Sequence, residues 1–513
     1  MKKNFFFMAA LLVAMTGCNK EPQMENNGIS SDDKVYMSFS IQTLNTRSAT
    51  DSGEGDDYAS SDANPDVEVG LAKENKISSV DIVLRNANSY VCATVTNPTQ
   101  GENNQTWVAV FNSAMLATNT DYEVYIYANC SAKQDVHATS AATITEMTAD
   151  NKFWMTNAYE PAIVNFQSYS TDKANPTDLG EFYVERSMAR FDYMPKGPYT
   201  LQEKDGQPTV QVNLTEAALI NQSREFYMLR RVSADGTNSK WTVGGVETLN
   251  NYVVDVDYAD KKEGYKATCS TRFENHMTDP DEWVWKSIVN LTQKDNWNGT
   301  EDGETGSGQD HTLNEYYVWQ YCKENTIPGA DIQENGISTG IVFKGQLSGD
   351  LVKAANGKTI YVFDNILYGT WDQVVAAAAQ DNASEAFKFA VSVCNDGGKA
   401  KNAETLAAAG FTGFSAVKEG DNYNYYTYYY YWNRHNDNGD NKAMGRMEFA
   451  VVRNNVYKLC VDEIGKYGHP TPGGDDPDPD EPDPFDPDEE GEYYFKVTVK
   501  VLPWVVRVNH IEF

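Results

Sequence analysis

The sequence closes on "GEYYFKVTVKVLPWVVRVNHIEF", and the run "PTPGGDDPDPDEPDPFDPDEEGE" sets that segment apart from everything upstream. This arrangement constrains the fold more than any other feature. Proline removes backbone donors and fixes an extended path, while the carboxylates repel one another and stretch it. Residues 470–492 are therefore read as an acidic spacer, with calcium binding by the aspartates as the alternative use. Beyond the spacer, Phe495, Val497, Val499 and Val501 alternate as a strand does. Leu502-Pro503 interrupts, and the apolar face resumes at Trp504, Val506 and Val508. A proline cannot donate to a central ladder, so a bulge that resets the face is expected there. Such a strand is an aggregation hazard when exposed. Either this chain or another molecule has to cover it.

The rest of the sequence has the means to build cores. Its 513 residues allow two or three domains, and apolar residues make up 41% of them, so the chain as a whole is not disordered. The 31 tyrosines and 10 tryptophans suit strands better than helical bundles. A formal net charge of −32 repels nucleic acid and anionic membrane surfaces, which argues against both as partners.

At the other end, "MKKNFFFMAALLVAMTGCNK" has the layout of a secretory signal. Lys2 and Lys3 form the charged region, and Phe5 to Val13 form an apolar stretch too short to span a bilayer as a mature helix. Met15-Thr16-Gly17-Cys18 then places small residues before a thiol, as in a bacterial lipoprotein box. Residues 1–17 are read as the signal peptide and Cys18 as the lipidated residue, with an ordinary signal and an incidental cysteine as the alternative. The other six cysteines (Cys92, Cys130, Cys269, Cys322, Cys394 and Cys460) form no CxxC pair; they could make three bridges, and buried free thiols are the plainer reading.

After a polar tether at 19–33, "KVYMSFSIQTL" alternates cleanly, with Val35, Met37, Phe39 and Ile41 on one face. That is a half-buried strand. Arg47 and Ser48 then sit in "NTRSATDSGEGDDYASSDANPD", a loop by composition. From this stretch alone Arg47 is either a solvated surface residue or a protease site. Further strands are expected at "SSVDIVLRN", "TWVAVFNS", "DYEVYIYANC", "FYVERSMARFDYM", "TVQVNLT", "IVFKGQL", "TIYVFDNIL" and "MEFAVVRNNVYKLCVDEI". Helices are expected at "TLNEYYVWQYCKENT", which opens on a capping-box pattern from Thr312 to Glu315, at "WDQVVAAAAQDNASEAFKFAVSV" and at "NAETLAAAG". The total is mainly β with inserted helices, and two β-sandwich domains fit the length and the strand spacing.

Chemistry is sparse. The six histidines form no HExxH or other close metal pair, and no GxSxG occurs. "NGKT" at 356–359 lacks the upstream glycine of a P-loop and reads as a hairpin turn. No catalytic residue, metal site or cofactor is assigned, and the chain is not read as an enzyme. The tract "DNYNYYTYYYYWNRHNDNGD" can offer sugar-stacking rings, but on a strand alternate members face opposite sides. An aromatic strand with one face in the core is the plainer reading.

Four stretches carry a resemblance: "ENKISSVDIVL", "VERSMAR" at 184–190, "VVRNNVYKL" at 451–459, and "VTVKVLPWVV" at 497–506. With the lipoprotein box, the alternating strand and the lone arginine, they resemble the FimA/Mfa superfamily of fimbrial subunits of Bacteroidota. The likeness is strongest to the shaft subunit of the Mfa-type (minor, or short) fimbrium. The resemblance implies two transthyretin-like β-sandwich domains, at 48–180 and 181–469, followed by the 470–492 linker and a donor strand at 493–513. It implies export as a palmitate-bearing lipoprotein with a propeptide at 18–47, held transiently at the outer membrane through its lipid. An arginine-specific protease would cut between Arg47 and Ser48. The leader strand at 35–41 would leave, and a neighbour's terminal strand would fill its place in a head-to-tail homopolymer with anchor and tip subunits. Seven apolar side chains on the donor are together worth roughly 10–20 kcal/mol gross. Surface adhesion and colonisation would be the role. The competing readings are a glycan-binding surface lipoprotein, a fimbrial tip adhesin and, last, a secreted hydrolase.

Overall fold

The computed structural model describes residues 33–43, 68–69, 71–95, 105–149, 152–233, 241–244, 252–258, 270–289, 291, 316–327, 337–435, 448–473 and 495–505. Cys18, Arg47, Ser48, Val506 and Val508 lie outside these residues, as do the signal segment and the acidic linker beyond residue 473.

Alternation decides the first element. Strand β1 (Lys34–Thr43) buries every second residue. A two-residue strand, β2 (Glu68–Val69), then leads into a one-turn helix, α1 (Ala72–Asn75). Next come β3 (Val80–Arg85), β4 (Tyr90–Val95), β5 (Gln105–Asn112), β6 (Asp121–Ala128), β7 (Met155–Asn157), β8 (Ala162–Asn165) and β9 (Thr177–Arg186). They form one sheet in the order β4-β3-β6-β7-β9-β1-β5, with β8 added beside β6. One apolar core lines it, running from Val35 and Ile82 through Trp107 and Tyr122 to Val184.

The chain changes sheets at Ser187–Met188. Position 180, the expected domain boundary, lies within β9. Strand β10 (Ala189–Tyr193) belongs to a second sheet, and β11 (Tyr199–Lys204) and the long β12 (Gln207–Ile220) to a third. Strands β13 (Tyr317–Cys322) and β14 (Gly340–Ser348) follow. A helical insertion comes next: α2 (Asp350–Ala355), α3 (Trp371–Ala378), α4 (Glu385–Cys394) and α5 (Ala403–Ala408). The last strands are β15 (Tyr426–Trp432), β16 (Asn455–Ile464) and β17 (Phe495–Val505). The second sheet runs β2-β17-β16-β10-β13 and the third β11-β12-β14-β15. A shared core joins them through Phe191, Tyr193, Val212, Phe343, Tyr429 and Tyr457. The protein is mainly β in several sheets, as expected.

Three expectations change. The helix read from a capping box at Thr312–Glu315 gives way to strand β13, which pairs antiparallel with β10. Its Tyr-Val-Trp-Gln-Tyr-Cys run is rich in aromatic and branched residues, and the β10 edge offers it a ladder; tertiary pairing overrides a short local signal. The "NGKT" turn joins a helix to a strand: Asn356 is the left-handed C-cap of α2, and the strand Ile360–Phe363 follows. No register shift occurs at Pro503 in β17; the shift lies on its partner, between Val461 and Glu463. Pro503 stands opposite Asn455, the first residue of β16, so its missing donor falls at the end of that ladder.

Candidate functional site

The strand expected to be removable occupies a central slot. β1 runs parallel to β9 and antiparallel to β5. Val35 and Met37 are 0% exposed, Phe39 1% and Ile41 5%. Phe39 lies opposite Trp107 of β5, and its ring meets that of Phe182 edge-on at 6.3 Å. Against β9 the register slips between Ser38 and Ser40, where Gly180 supplies a φ of +93°. That left-handed backbone suits glycine. Among the described residues β5 has no ladder partner but β1. Taking β1 away therefore strips β5 and β9 of pairing at once.

β9 leads directly into β10, and there two of the quoted stretches meet. The backbone N–H of Asn454 donates to the Met188 carbonyl at 2.8 Å, and Asn454 itself is left-handed, with φ +59°. Around this contact lies a buried network of charges. Arg190 donates to both oxygens of Asp192 at 2.9 Å and to Glu74 Oε2 at 2.9 Å. Arg186 donates to the Glu74 carbonyl at 3.1 Å, to Asn454 Oδ1 at 3.1 Å, and to the side chain of Asn75. Arg453 grips both Glu324 oxygens at 3.1 Å and donates to the Tyr227 carbonyl at 2.7 Å. Arg230 pairs with Glu185 at 3.0 Å. All four arginines are at most 1% exposed. Bidentate, hydrogen-bonded geometry is what lets such charges sit away from water. Sequence reading marked the two arginine-bearing stretches but not their carboxylate partners.

The terminal strand lies in the same region. β17 pairs antiparallel with β16 of its own chain. Phe495, Val497, Val499 and Val501 stand at register positions opposite Ile464, Val461, Leu459 and Tyr457, all buried. On its other side β17 meets β2: Trp504 is opposite Glu68, and Val505 opposite Val69. In the single chain, the strand expected to serve a neighbour is thus paired in cis.

The tyrosine tract is packed on both faces. Tyr425 and Tyr429 enter the main core, while Tyr428 and Trp432 pack with Trp283 and Phe449. Tyr428 and Trp432 are 8% and 6% exposed, so these rings do not form an open platform. Cys130, Cys322, Cys394 and Cys460 are free thiols, whereas Cys92 departs from that reading and is disulfide-bonded. No cluster of metal-ligating residues occurs among the described residues.

One buried histidine gives the fold a pH dependence. His435 Nδ1 lies 2.9 Å from the Tyr457 hydroxyl, which also accepts the Val452 N–H. Burial pushes the imidazole down to about 4. The unfolded chain takes up this proton near pH 6.5, before the folded one does. Its stability is therefore whole above pH 6.5 and declines as pH falls toward 4, by roughly 3 kcal/mol at most. Urea midpoints at pH 7 and pH 4.5 should show the decline, and His435→Gln should shrink it.

The geometry thus defines a multi-sheet β protein whose first strand lies between β9 and β5 and whose last described strand lies between β2 and β16. Residues 422–510 match the family described as "Major fimbrial subunit protein type IV, Fimbrillin, C-terminal". The matched stretch spans β15, β16 and β17. No curated protein matches the chain. Among solved structures, a candidate cell adhesion protein from Parabacteroides distasonis is similar at 11% identity, TM-score 0.41, over 93% of this chain and 99% of that one. A fimbrilin from Porphyromonas gingivalis is similar at 14% identity, TM-score 0.39, over 94% and 100%. Superpositions this loose define no function.

Proposed function

We propose that the chain is a shaft subunit of a surface fimbrium of the Mfa type. In this reading it is exported as a lipoprotein on Cys18, cut between Arg47 and Ser48, and polymerised head to tail by exchange of β1 for a neighbour's terminal strand. The observation that carries the reading is the position of β1: a strand paired on both sides, with its apolar face buried, that is covalently joined to the body through the stretch containing Arg47. One cut there would separate both the lipid and the strand from the body. Burial removes Arg186, Arg190, Arg230, Arg231 and Arg453 from competition, whereas Arg224 is exposed and Arg272 part-exposed, so selectivity for Arg47 would have to come from the loop around it. Residues 493–513 would be the donor, with Phe495, Val497, Val499, Val501, Trp504, Val506 and Val508 as its apolar side chains. The leader slot and β17 are similar in length, ten and eleven residues. A strand running as β1 does would regain both ladders, and main-chain pairing of this kind supplies affinity. The anchor and tip subunits and the arginine-specific protease are the other partners of this reading.

The test treats purified protein with an arginine-specific protease and follows it by electron microscopy and unheated detergent gels. Wild type should give fibres and a ladder that collapses on boiling. Arg47→Ala should stay monomeric, with the leader attached. A chain lacking 493–513 should be cut and yet stay monomeric. Normal fibres from either variant would refute the corresponding assignment.

A further inference from the structure

The outward face of β1 carries no charge, whereas the strand beside it does. Between its buried residues β1 sets Tyr36, Ser38, Ser40 and Gln42. On β9, the exposed Glu181 stands opposite Ser40 and the exposed Asp178 opposite Ser38. Gln42 Nε2 donates to Glu181 Oε2 at 2.7 Å, and the Tyr183 hydroxyl donates to the other oxygen. Asp178 Oδ1 accepts the Gly180 N–H at 3.0 Å. Among the described residues neither carboxylate has a basic partner. The leader thus meets Glu181 with a neutral amide and no cation.

The terminal strand differs at this point. Between its alternating apolar residues β17 sets Lys496, Thr498 and Lys500. In the cis ladder Lys496 stands opposite Glu463, but Lys500 stands opposite Lys458. Like charges directly opposite on neighbouring strands are destabilising, and opposite charges stabilise. Laying Phe495, Val497, Val499 and Val501 on Val35, Met37, Phe39 and Ile41 keeps the apolar face inward. That register puts Thr498 in the place of Ser38 and Lys500 in the place of Ser40, opposite Glu181. A slip of one residue would turn the apolar face outward. A slip of two would put Thr498 or Leu502 opposite Glu181 instead. On passing from its own body to such a slot, Lys500 leaves a like charge and gains an opposite one.

We propose that Glu181 selects the occupant of the leader slot by pairing with Lys500 of a second copy. The inference rests on the strand-exchange reading and gives that slot its specificity-determining residue. An exposed ion pair is weak, so the buried apolar face supplies most of the affinity. The pair supplies the difference between two strands whose apolar faces are alike, and it favours one register of the incoming strand.

The test titrates labelled peptides with cut full-length protein, freed of its leader and held dilute enough to stay monomeric, and reads fluorescence anisotropy. Peptide 493–513 should bind Glu181→Lys about fivefold more weakly than wild type. Peptide 34–43 should change by less than about twofold, which also shows that the variant keeps its slot. Peptide 493–513 carrying Lys500→Glu should bind wild type about fivefold more weakly than the native peptide, and should bind Glu181→Lys more tightly than wild type. Salt near 1 M, where screening acts within about 3 Å, should shrink these differences. Equal losses by both peptides in Glu181→Lys would overturn the selection and leave strand exchange standing. So would a Lys500→Glu peptide that binds wild type as tightly as the native one. A wild-type slot that takes peptide 34–43 but not 493–513 would overturn both the selection and the strand-exchange reading.

Discussion

Stripping residues 1–47 from the body is expected to cost the N-terminal sheet most or all of its stability unless another strand enters. Four fully buried apolar side chains leave with β1. At about 1.5–3 kcal/mol each they represent roughly 6–12 kcal/mol. That is comparable with the whole stability of a typical domain, about 5–15 kcal/mol. The ladder loss adds to this, because β5 and β9 both face the empty slot and β5 keeps no other partner among the described residues. Trp107 on β5 and Phe182 on β9, both buried against Phe39, would meet water. The measurement is a melting curve and amide exchange on cut, leader-free protein held dilute enough to stay monomeric. Residues 105–112 should lose protection first. A synthetic peptide of residues 34–43 should restore it, and the same peptide with Phe39→Asp should not, since an unpaired carboxylate cannot be buried there. A leader-free monomer that melts with the intact chain would show that β1 is dispensable.

This expectation also explains why a subunit would carry its own plug. An empty slot with two open ladders is a template for any strand. On the proposed reading, a plug covalently joined to the body would fill it at high effective concentration and block mispairing until a protease cut it. The same physics places β17 beside β16. In a lone chain the nearest free strand occupies the nearest free edge, and β2 pairs along the other side of its last residues.

How much of this was legible in the sequence depended on where each decision is made. β1 was readable because its burial alternates strictly, and that pattern survives without knowledge of its neighbours. Helices α3, α4 and α5 were readable because their caps are local: the side chains of Thr370, Ser384 and Asn402 each accept an N–H of the first turn. β13 was not readable, because only its partner β10 makes it a strand. The junction was half readable. "VERSMAR" and "VVRNNVYKL" set arginines among strand-forming apolar residues, and that signal can mark buried charge. Glu74 and Glu324 gave no such sign, since a carboxylate in a polar stretch reads as surface. Their burial is fixed by Arg190 and Arg453, more than a hundred residues away in each case. Whether β17 is covered by its own chain or by another molecule was left open, because a linker's composition sets its stiffness and not its destination.

The junction also yields the second large effect, and its size follows from which partner is removed. Arg453→Met should destabilise the chain by about 3–5 kcal/mol, because it leaves Glu324 buried without its counter-charge. Glu324 is 1% exposed, so water cannot reach it without opening the core. Changing both residues, Arg453→Met with Glu324→Leu, removes the stranded carboxylate and should recover a large part of the loss. Recovery should stop short of wild type. Arg453 also donates to the carbonyls of Tyr227 and Met228, which tie the segment after β12 to the junction, and the double variant leaves both without that donor. Each such bond is worth roughly 1 kcal/mol. Denaturant midpoints for the two single variants and the double, treated as a cycle, separate these contributions. A double variant no more stable than Arg453→Met would assign the loss to the carbonyl contacts, and the Arg453–Glu324 pair would then be a bystander to the joint between the sheets.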